Sequence, residues 1–239
     1  MVVIRGRLNA AEAINSETNL LRFRMGADLL HFEPGQYIEM LDPEDGARVP
    51  FSIATIPADL PRLDVHYTPV ADHPDVPRMA RILATREVAF NAPAGNCWLD
   101  HAQREQRLLF AAAGTGVSQS LSLLRSLLTP SPRPSVVLYW GVRHAQQLYL
   151  RAELDEWART HPWFSWHAVV SDEPDYHGRR GYLNAVLSQD AATLVERITV
   201  LSGGPAAVYA MFDALTVAGA RAENIFADAF AYAPRAGAP

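Results

Sequence analysis

The stretch from Leu108 to Leu128 constrains the fold most tightly. An apolar run, Leu108–Ala113, leads directly into Gly114-Thr115-Gly116, which opens a helix-like segment, Val117–Leu128. A short apolar run ending at glycine reads as a buried strand, and a glycine turn between strand and helix lets a ligand approach the backbone closely. The first helix amides point at that ligand, and the helix dipole favours an anion there. A nucleotide pyrophosphate suits such a turn. Glycine-rich strand-to-helix turns are common in α/β proteins, however, so the ligand has to be argued from the rest of the chain.

From about Gln103 onward the chain alternates strand and helix. The run Leu108–Ala113 precedes the helix Val117–Leu128, and Pro130, Pro132 and Pro134 mark a loop. Strand Val136–Trp140 precedes a helix over Tyr149–Ala158. Strand Trp166–Val170 precedes a polar loop and a short helix, Leu183–Leu187. Strand Ile198–Ser202 precedes the helix Ala206–Ala218, with Val208, Met211, Phe212 and Leu215 on one face. This alternation predicts a parallel sheet with helices on both faces. Ligands of such sheets bind at the carboxyl ends of the strands. Gly114–Gly116, Gly141–Arg143, Ser171 and Gly203-Gly204 all fall at such ends.

The first hundred residues have a different pattern. Val2–Ile4, Asn19–Met25, Gly35–Met40, Arg48–Thr55 and Arg62–Thr68 read as short strands broken by Gly, Pro and Asp, with one helix over Asp75–Leu83. In Asn19–Met25 the alternation of Leu and Phe with Arg gives one buried and one wet face. Strands at this spacing predict a small antiparallel barrel or sandwich. The expected fold class is therefore β + α/β, with a β-barrel domain over residues 1–103 and a Rossmann-like parallel-sheet domain over residues 104–239.

Composition narrows the function classes. The 239 residues are 49% hydrophobic, enough for a sizeable core, and carry a formal net charge of −5 with scattered Arg and no Lys. No basic block reads as a footprint for nucleic acid. The single cysteine, Cys97, allows no intrachain disulfide and no iron–sulfur cluster held by this chain. No basic partner for it is evident, so it reads as structural. Trp157, Trp163 and Trp166 read as packing residues, and the tail from Pro234 to Pro239 as frayed. No apolar segment approaches the length of a membrane span, and Met1–Arg7 reads as a strand, not a signal peptide. The expected compartment is the cytoplasm.

A second constellation is Arg48-Val49-Pro50-Phe51-Ser52-Ile53-Ala54-Thr55. An aromatic followed by hydroxyl residues offers a flat apolar contact and hydrogen-bond donors, but alone it also fits an ordinary barrel strand. In order along the chain come Pro-Phe-Ser-Ile-Ala-Thr, Gly114-Thr115-Gly116, Tyr139-Trp140-Gly141-Val142-Arg143, Leu148-Tyr149 and Ala227-Asp228-Ala229-Phe230-Ala231-Tyr232. This ordered set resembles the ferredoxin-NADP reductase superfamily. It is most similar to the short NAD(P)H-flavin reductases, the type that also supplies reduced flavin to bacterial luciferase.

The resemblance implies a set of roles. Arg48, Pro50, Phe51 and Ser52 belong to the flavin-holding strand, with the Ser52 hydroxyl or amide near flavin N5, the atom that accepts hydride. Ser52 and Thr115 are the implied catalytic positions. Gly114, Thr115 and Gly116 lie under the nicotinamide and pyrophosphate, and Gly141 and Arg143 border that nucleotide. Asp228 and Phe230 close the ring pocket. His66, followed by Tyr67, matches a histidine of the flavin reductases, although it also fits an ordinary strand position. Nothing near it has metal-ligand spacing, and no metal is expected. The cofactors implied are NADH or NADPH and a flavin (FMN, riboflavin or FAD), without an iron–sulfur cluster. Asp172 and Glu173 after Ser171 favour a ribose 2′-hydroxyl and so NADH, but Arg179 and Arg180 are close enough in sequence to reverse this.

One departure stands out. In the family the arginine directly precedes the Pro-aromatic-Ser or stands one residue from the aromatic; here Val49 intervenes and Arg48 sits one residue earlier. In a strand that shift turns the side chain to the opposite face. Either a bulge restores Arg48 or its flavin contact is lost, and the loss fits a dissociable flavin. The reading is hydride transfer from NAD(P)H to flavin N5 in an interdomain cleft. The alternatives are an FAD-containing reductase passing electrons to a separate oxygenase or ferredoxin, and a catalytically silent flavin- or nucleotide-binding regulator. The partners implied are the flavin and the nicotinamide nucleotide, with a flavin-dependent monooxygenase or oxygenase as acceptor, and neither nucleic acid nor membrane.

Overall fold

The computed structural model describes residues 2–26, 30–100, 103–128 and 134–236. The chain divides into two compact units: residues 1–98 with 121–129, and residues 99–120 with 130–239.

In the first unit, β1 (Val2–Ala13), β2 (Asn19–Met25), β3 (Tyr37–Leu41), β4 (Arg48–Ser52), β5 (Arg62–Tyr67) and β6 (Glu87–Ala94) form an antiparallel sheet in the order β4-β3-β6-β1-β2-β5. The two end strands meet just beyond Ser52. There the Ala54 N–H donates to the Asp64 carbonyl on β5 at 2.9 Å, which closes the sheet into a barrel. Alternation along β2 sends Leu21, Phe23 and Met25 inward to Ile38, Met40, Leu63, Val65 and Phe90. Phe23 and Phe90 meet edge to face at 5.1 Å. Each such side chain contributes roughly 1.5–3 kcal/mol by leaving water. Helix α1 (Asp75–Ala84) adds Met79 and Ile82 to the same core.

Strand β6 was not expected from sequence, yet it lies at the centre of the sheet, paired with both β1 and β3. Strand β1 is also far longer than Val2–Ile4. It runs to Ala13, with an irregularity between Leu8 and Ala10 where it pairs with β2.

In the second unit, β7 (Leu108–Ala113), β8 (Val136–Val142), β9 (Phe164–Val170), β10 (Arg179–Arg180), β11 (Ile198–Ser202) and β12 (Ile225–Phe226) form a parallel sheet in the order β10-β9-β8-β7-β11-β12. One face, with Leu109, Ala111, Tyr139 and Leu201, packs on α4 (Leu183–Gln189) and α6 (Pro205–Val217). The intervening residues Phe110, Leu138 and Trp140 are also fully buried, so both faces are covered, as an all-parallel sheet requires. Helices α2 (Val117–Leu127), α3 (Arg151–Thr160), α5 (Ala191–Leu194) and α7 (Ala229–Tyr232) complete the described elements.

The tail departs from expectation. It is anchored as far as Arg235, which bonds both Asp213 oxygens (2.6 and 2.8 Å) and lies 4.3 Å from the Tyr209 ring centre. Residues 237–239 lie outside the described residues, as do Pro130 and Pro132 of the expected loop.

Candidate functional site

In the second unit the strand ends converge as the parallel order requires. Gly114–Gly116 forms a single 3-10 turn between β7 and α2, and Gly203-Gly204 links β11 to α6. These two turns touch. A Cβ on Gly116 would lie 2.5 Å from the Gly203 nitrogen, and one on Gly203 (φ +127°) would lie 2.9 Å from the Ala113 carbonyl oxygen. Gly114 has φ +56°, and a Cβ there would meet nothing within 4 Å. The turn is thus packed tightly on its inner side and open on its outer side. The Val117 N–H bonds back to Gly114 and Thr115. Ser118 Oγ donates to the Thr115 carbonyl at 2.9 Å, and the Trp140 indole N–H donates to the Gly114 carbonyl at 2.9 Å.

This rim fits an anionic nucleotide. The turn runs directly into α2 and its carbonyls already engage the Val117 N–H, so the amides that such a helix start leaves without a carbonyl partner are those of the turn itself. Ser202, buried and in register with Ala112, has a hydroxyl with no hydrogen-bond partner among the described residues. Arg143 is exposed at the end of β8 and makes no ion pair among the described residues. Gly141 packs on Leu183, where a Cβ would come within 3.0 Å.

At the rim beside β9 the charged residues are engaged within the protein. The Ser171 hydroxyl donates to Asp172 Oδ1 at 2.6 Å, and Glu173 accepts the Ala145 N–H at 2.7 Å. Arg179 is bound to Asp190, which also accepts the Tyr139 hydroxyl at 2.5 Å, and Arg180 is bound to the Pro174 carbonyl. Arg179 and Arg180 therefore both have other partners.

Asp228 and Phe230 are placed differently from each other. Asp228 is buried and accepts a 2.6 Å hydrogen bond from Gln119, the third residue of α2. Sequence reasoning missed Gln119; its partner lies 109 residues away, so no local pattern marks it. Phe230 packs against Tyr209 (5.6 Å) and Phe212 (5.4 Å) at the edge of the second core.

In the first unit, Phe51 and Ser52 are both half-buried at the end of β4. Phe51 lies on the core side and meets Tyr67 edge to face at 5.8 Å. This aromatic pair is a partly exposed apolar platform, the kind of surface an isoalloxazine ring needs. Ser52 lies on the opposite side of the strand, across from Tyr37. The β3–β4 register runs without a bulge from Tyr37↔Ser52 to Leu41↔Arg48, so nothing restores Arg48 to the side of Phe51. Its guanidinium instead pairs with Glu39 Oε2 at 3.3 Å, and Glu39 is also held by Asn91 Nδ2 at 2.5 Å.

His66 is buried on the outer side of β5. Burial pushes its imidazole down to about 4, and the Arg125 guanidinium acts in the same direction. Arg125 and Ser122 donate to the carbonyls of Ala54 (3.3 Å) and Thr55 (2.7 Å), beside the barrel closure. His66 is a neutral, enclosed side chain, and among the described residues no cluster of His, Cys, Asp or Glu could hold a metal. No helix of the described residues is long and apolar enough to cross a membrane.

Residues 110–213 match the family model for the oxidoreductase NAD-binding domain. The NAD(P)H-flavin reductase of Vibrio harveyi is 31% identical over 210 residues, covering 84% of this chain and 87% of that protein. The ferredoxin–NAD(P)(+) reductase component of the naphthalene 1,2-dioxygenase system of Pseudomonas putida is 29% identical over 95% of this chain, which spans 69% of it. Among solved structures, the Amycolatopsis cytochrome P450 reductase GcoB superposes with a TM-score of 0.84 at 26% identity, over 95% of this chain and 69% of that one. The aromatic-Ser strand of a closed barrel, the glycine turn of a parallel sheet and these likenesses lead to one conclusion: the chain belongs to the NAD(P)H-flavin reductases of the ferredoxin-NADP reductase superfamily.

Proposed function

We propose that this oxidoreductase uses NAD(P)H to reduce a flavin that it binds as a dissociable substrate, with NADH preferred. When both are bound, the nicotinamide supplies a hydride and flavin N5 accepts it. The chain's own residues bind, orient and polarise. The turn Gly114-Thr115-Gly116 receives the pyrophosphate on backbone amides, and Gly141 and Arg143 flank the nucleotide. Phe51 and Tyr67 support the flavin ring, and Ser52 offers a donor to N5, where negative charge develops as the ring is reduced. No side-chain acid is needed for the hydride step. Asp172, free of any arginine partner among the described residues, favours the 2′-hydroxyl of NADH over a 2′-phosphate.

The observation that carries this reading is the glycine turn, closed by Gly203 on its inner side and open at Gly114 on its outer side. The pairing of Arg48 with Glu39 supports a flavin held without that arginine, and hence loosely. The one cysteine, Cys97, is consistent with a reducing cytoplasm and with flavin as the only redox group on these residues.

A second reading is favoured by the relatives that serve oxygenases. The reductase components from Pseudomonas putida and Comamonas share 29% and 28% identity with this chain, which spans 69% and 65% of their lengths. On that reading the chain retains FAD and passes electrons to a separate oxygenase or ferredoxin. Gel filtration followed by an absorption spectrum separates the two. A colourless protein supports flavin as substrate, and a yellow one supports the oxygenase reductase.

A further inference from the structure

We propose that Trp140 is a positioning residue for the nicotinamide nucleotide, setting the direction of the Thr115 amide through its hydrogen bond to the Gly114 carbonyl. The inference rests on the reading that the glycine turn receives the pyrophosphate.

Gly114 has φ +56°, a conformation only glycine adopts without strain, and the space around it is open. Such a glycine tolerates either orientation of the next peptide, so the glycine alone does not decide which way that peptide's N–H points. The decision comes from the interior. Trp140 is completely buried on β8, its indole N–H reaches the Gly114 oxygen at 2.9 Å, and its ring is braced edge-on by Tyr149 at 5.2 Å. A buried indole N–H requires an acceptor, and this carbonyl satisfies it.

In a planar trans peptide the C=O and the N–H point in opposite directions. A Gly114 carbonyl drawn inward to Trp140 therefore turns the Thr115 N–H outward, toward the open rim at the strand ends. Backbone contacts hold the turn as well: the Val117 N–H bonds to the Gly114 and Thr115 carbonyls, and Gly116 is wedged against Gly203. The Gly114 carbonyl thus accepts from both the Val117 N–H and the Trp140 indole, and Trp140 is the side chain that helps fix the Gly114–Thr115 peptide plane. Trp140 thus acts through the turn, without touching the nucleotide itself.

An amide that contacts the pyrophosphate binds ground state and transition state alike, so losing its orientation raises KM without lowering kcat. Trp140→Phe keeps most of the ring and removes the N–H. Its KM for NADH should rise about five- to tenfold, below the full loss of a bond to a charged group because the amide remains and only its alignment relaxes. kcat and the KM for flavin should stay within about twofold. Calorimetric titration with NAD+, without flavin, should show the same rise in Kd. A packing role alone would lower the melting temperature and leave these constants unchanged.

Should Trp140→Phe fail to fold, the wild-type protein decides the matter. Saturating NAD+ should slow hydrogen exchange at the Thr115 amide and shift the Trp140 indole resonance. Unchanged NAD+ affinity in a folded variant, or an unaffected Thr115 amide in the wild type, overturns the proposal while leaving the flavin reductase reading intact. A wild type that binds no NAD+ overturns both.

Discussion

Arg48 and Glu39 form an ion pair, 3.3 Å from Nη1 to Oε2, on the face of β4 that Phe51 does not share. The arginine side chain is 59% exposed and the glutamate 12%, so the pair is a weak contact at the surface and the carboxylate is its fixed member. With its guanidinium engaged by Glu39, Arg48 is expected to contribute little to flavin binding. Arg48→Ala should change the affinity for riboflavin and for FMN by less than about threefold, where loss of a bidentate phosphate contact would cost about tenfold or more. Quenching of flavin fluorescence on titration measures both. A selective loss of FMN binding would show that the arginine reaches the phosphate.

Ser52 makes the opposite prediction. Its hydroxyl lies at the end of β4, half-buried and across from Tyr37. Ser52→Ala should slow the hydride-transfer step seen in stopped-flow absorbance by about tenfold or more, on the scale of losing a donor to developing charge. The KM for NADH should barely move. An unchanged hydride-transfer rate would remove the hydroxyl from N5.

The glycines at the strand ends differ sharply in what they tolerate. A methyl at Gly116 would meet only backbone, 2.5 Å from the Gly203 nitrogen and 2.6 Å from the Ser202 carbonyl carbon. Gly116→Ala should destabilise the second unit by about 1–3 kcal/mol, since neither neighbour is a side chain that can turn away. Gly204 has open space and φ −63° at the start of α6. Gly204→Ser should stay within about 0.5 kcal/mol, because serine is a good residue at a helix start. Urea unfolding of the two variants tests the contrast.

His66 makes stability depend on pH. Its pKa falls from 6.5 in the unfolded chain to about 4 in the folded one, first through burial and then through Arg125. Between those values the unfolded state binds more protons, so stability is lost as the pH falls from about 6.5 toward 4 and the loss levels off below 4. The full effect is on the order of 3 kcal/mol. His66→Gln should flatten this part of the stability curve measured by urea unfolding. An equally steep curve in the variant would assign the slope to other groups.

Much of the fold was legible because its signals are local. Leu21, Phe23 and Met25 alternate with Arg22 and Arg24, and Asn19–Met25 is a strand with those bounds. Leu108–Ala113 is equally plain, being a continuous apolar run ended by glycine. Strand β6 was hidden because small alanines, Asn91 and Pro93 dilute its pattern; its position between β1 and β3 buries Val88 and Phe90 regardless. The candidate site divides in the same way. Its glycine turn could be read directly, whereas Trp140 on Gly114, Gln119 on Asp228 and Asp190 on Arg179 are tertiary contacts that no sequence spacing announces. Arg48 lay between these cases: the extra Val49 marked the departure, and only the unbroken β3–β4 register showed where the side chain goes.

The most direct measurement is NADH oxidation, monitored by its near-ultraviolet absorbance, by the gel-filtered protein with and without added flavin. Oxidation that is negligible alone and rises to a saturating rate as riboflavin or FMN is added is the expected result. A folded protein that binds NAD+ and flavin but oxidises no NADH with riboflavin, FMN or FAD would contradict the assignment and leave a binding protein without turnover.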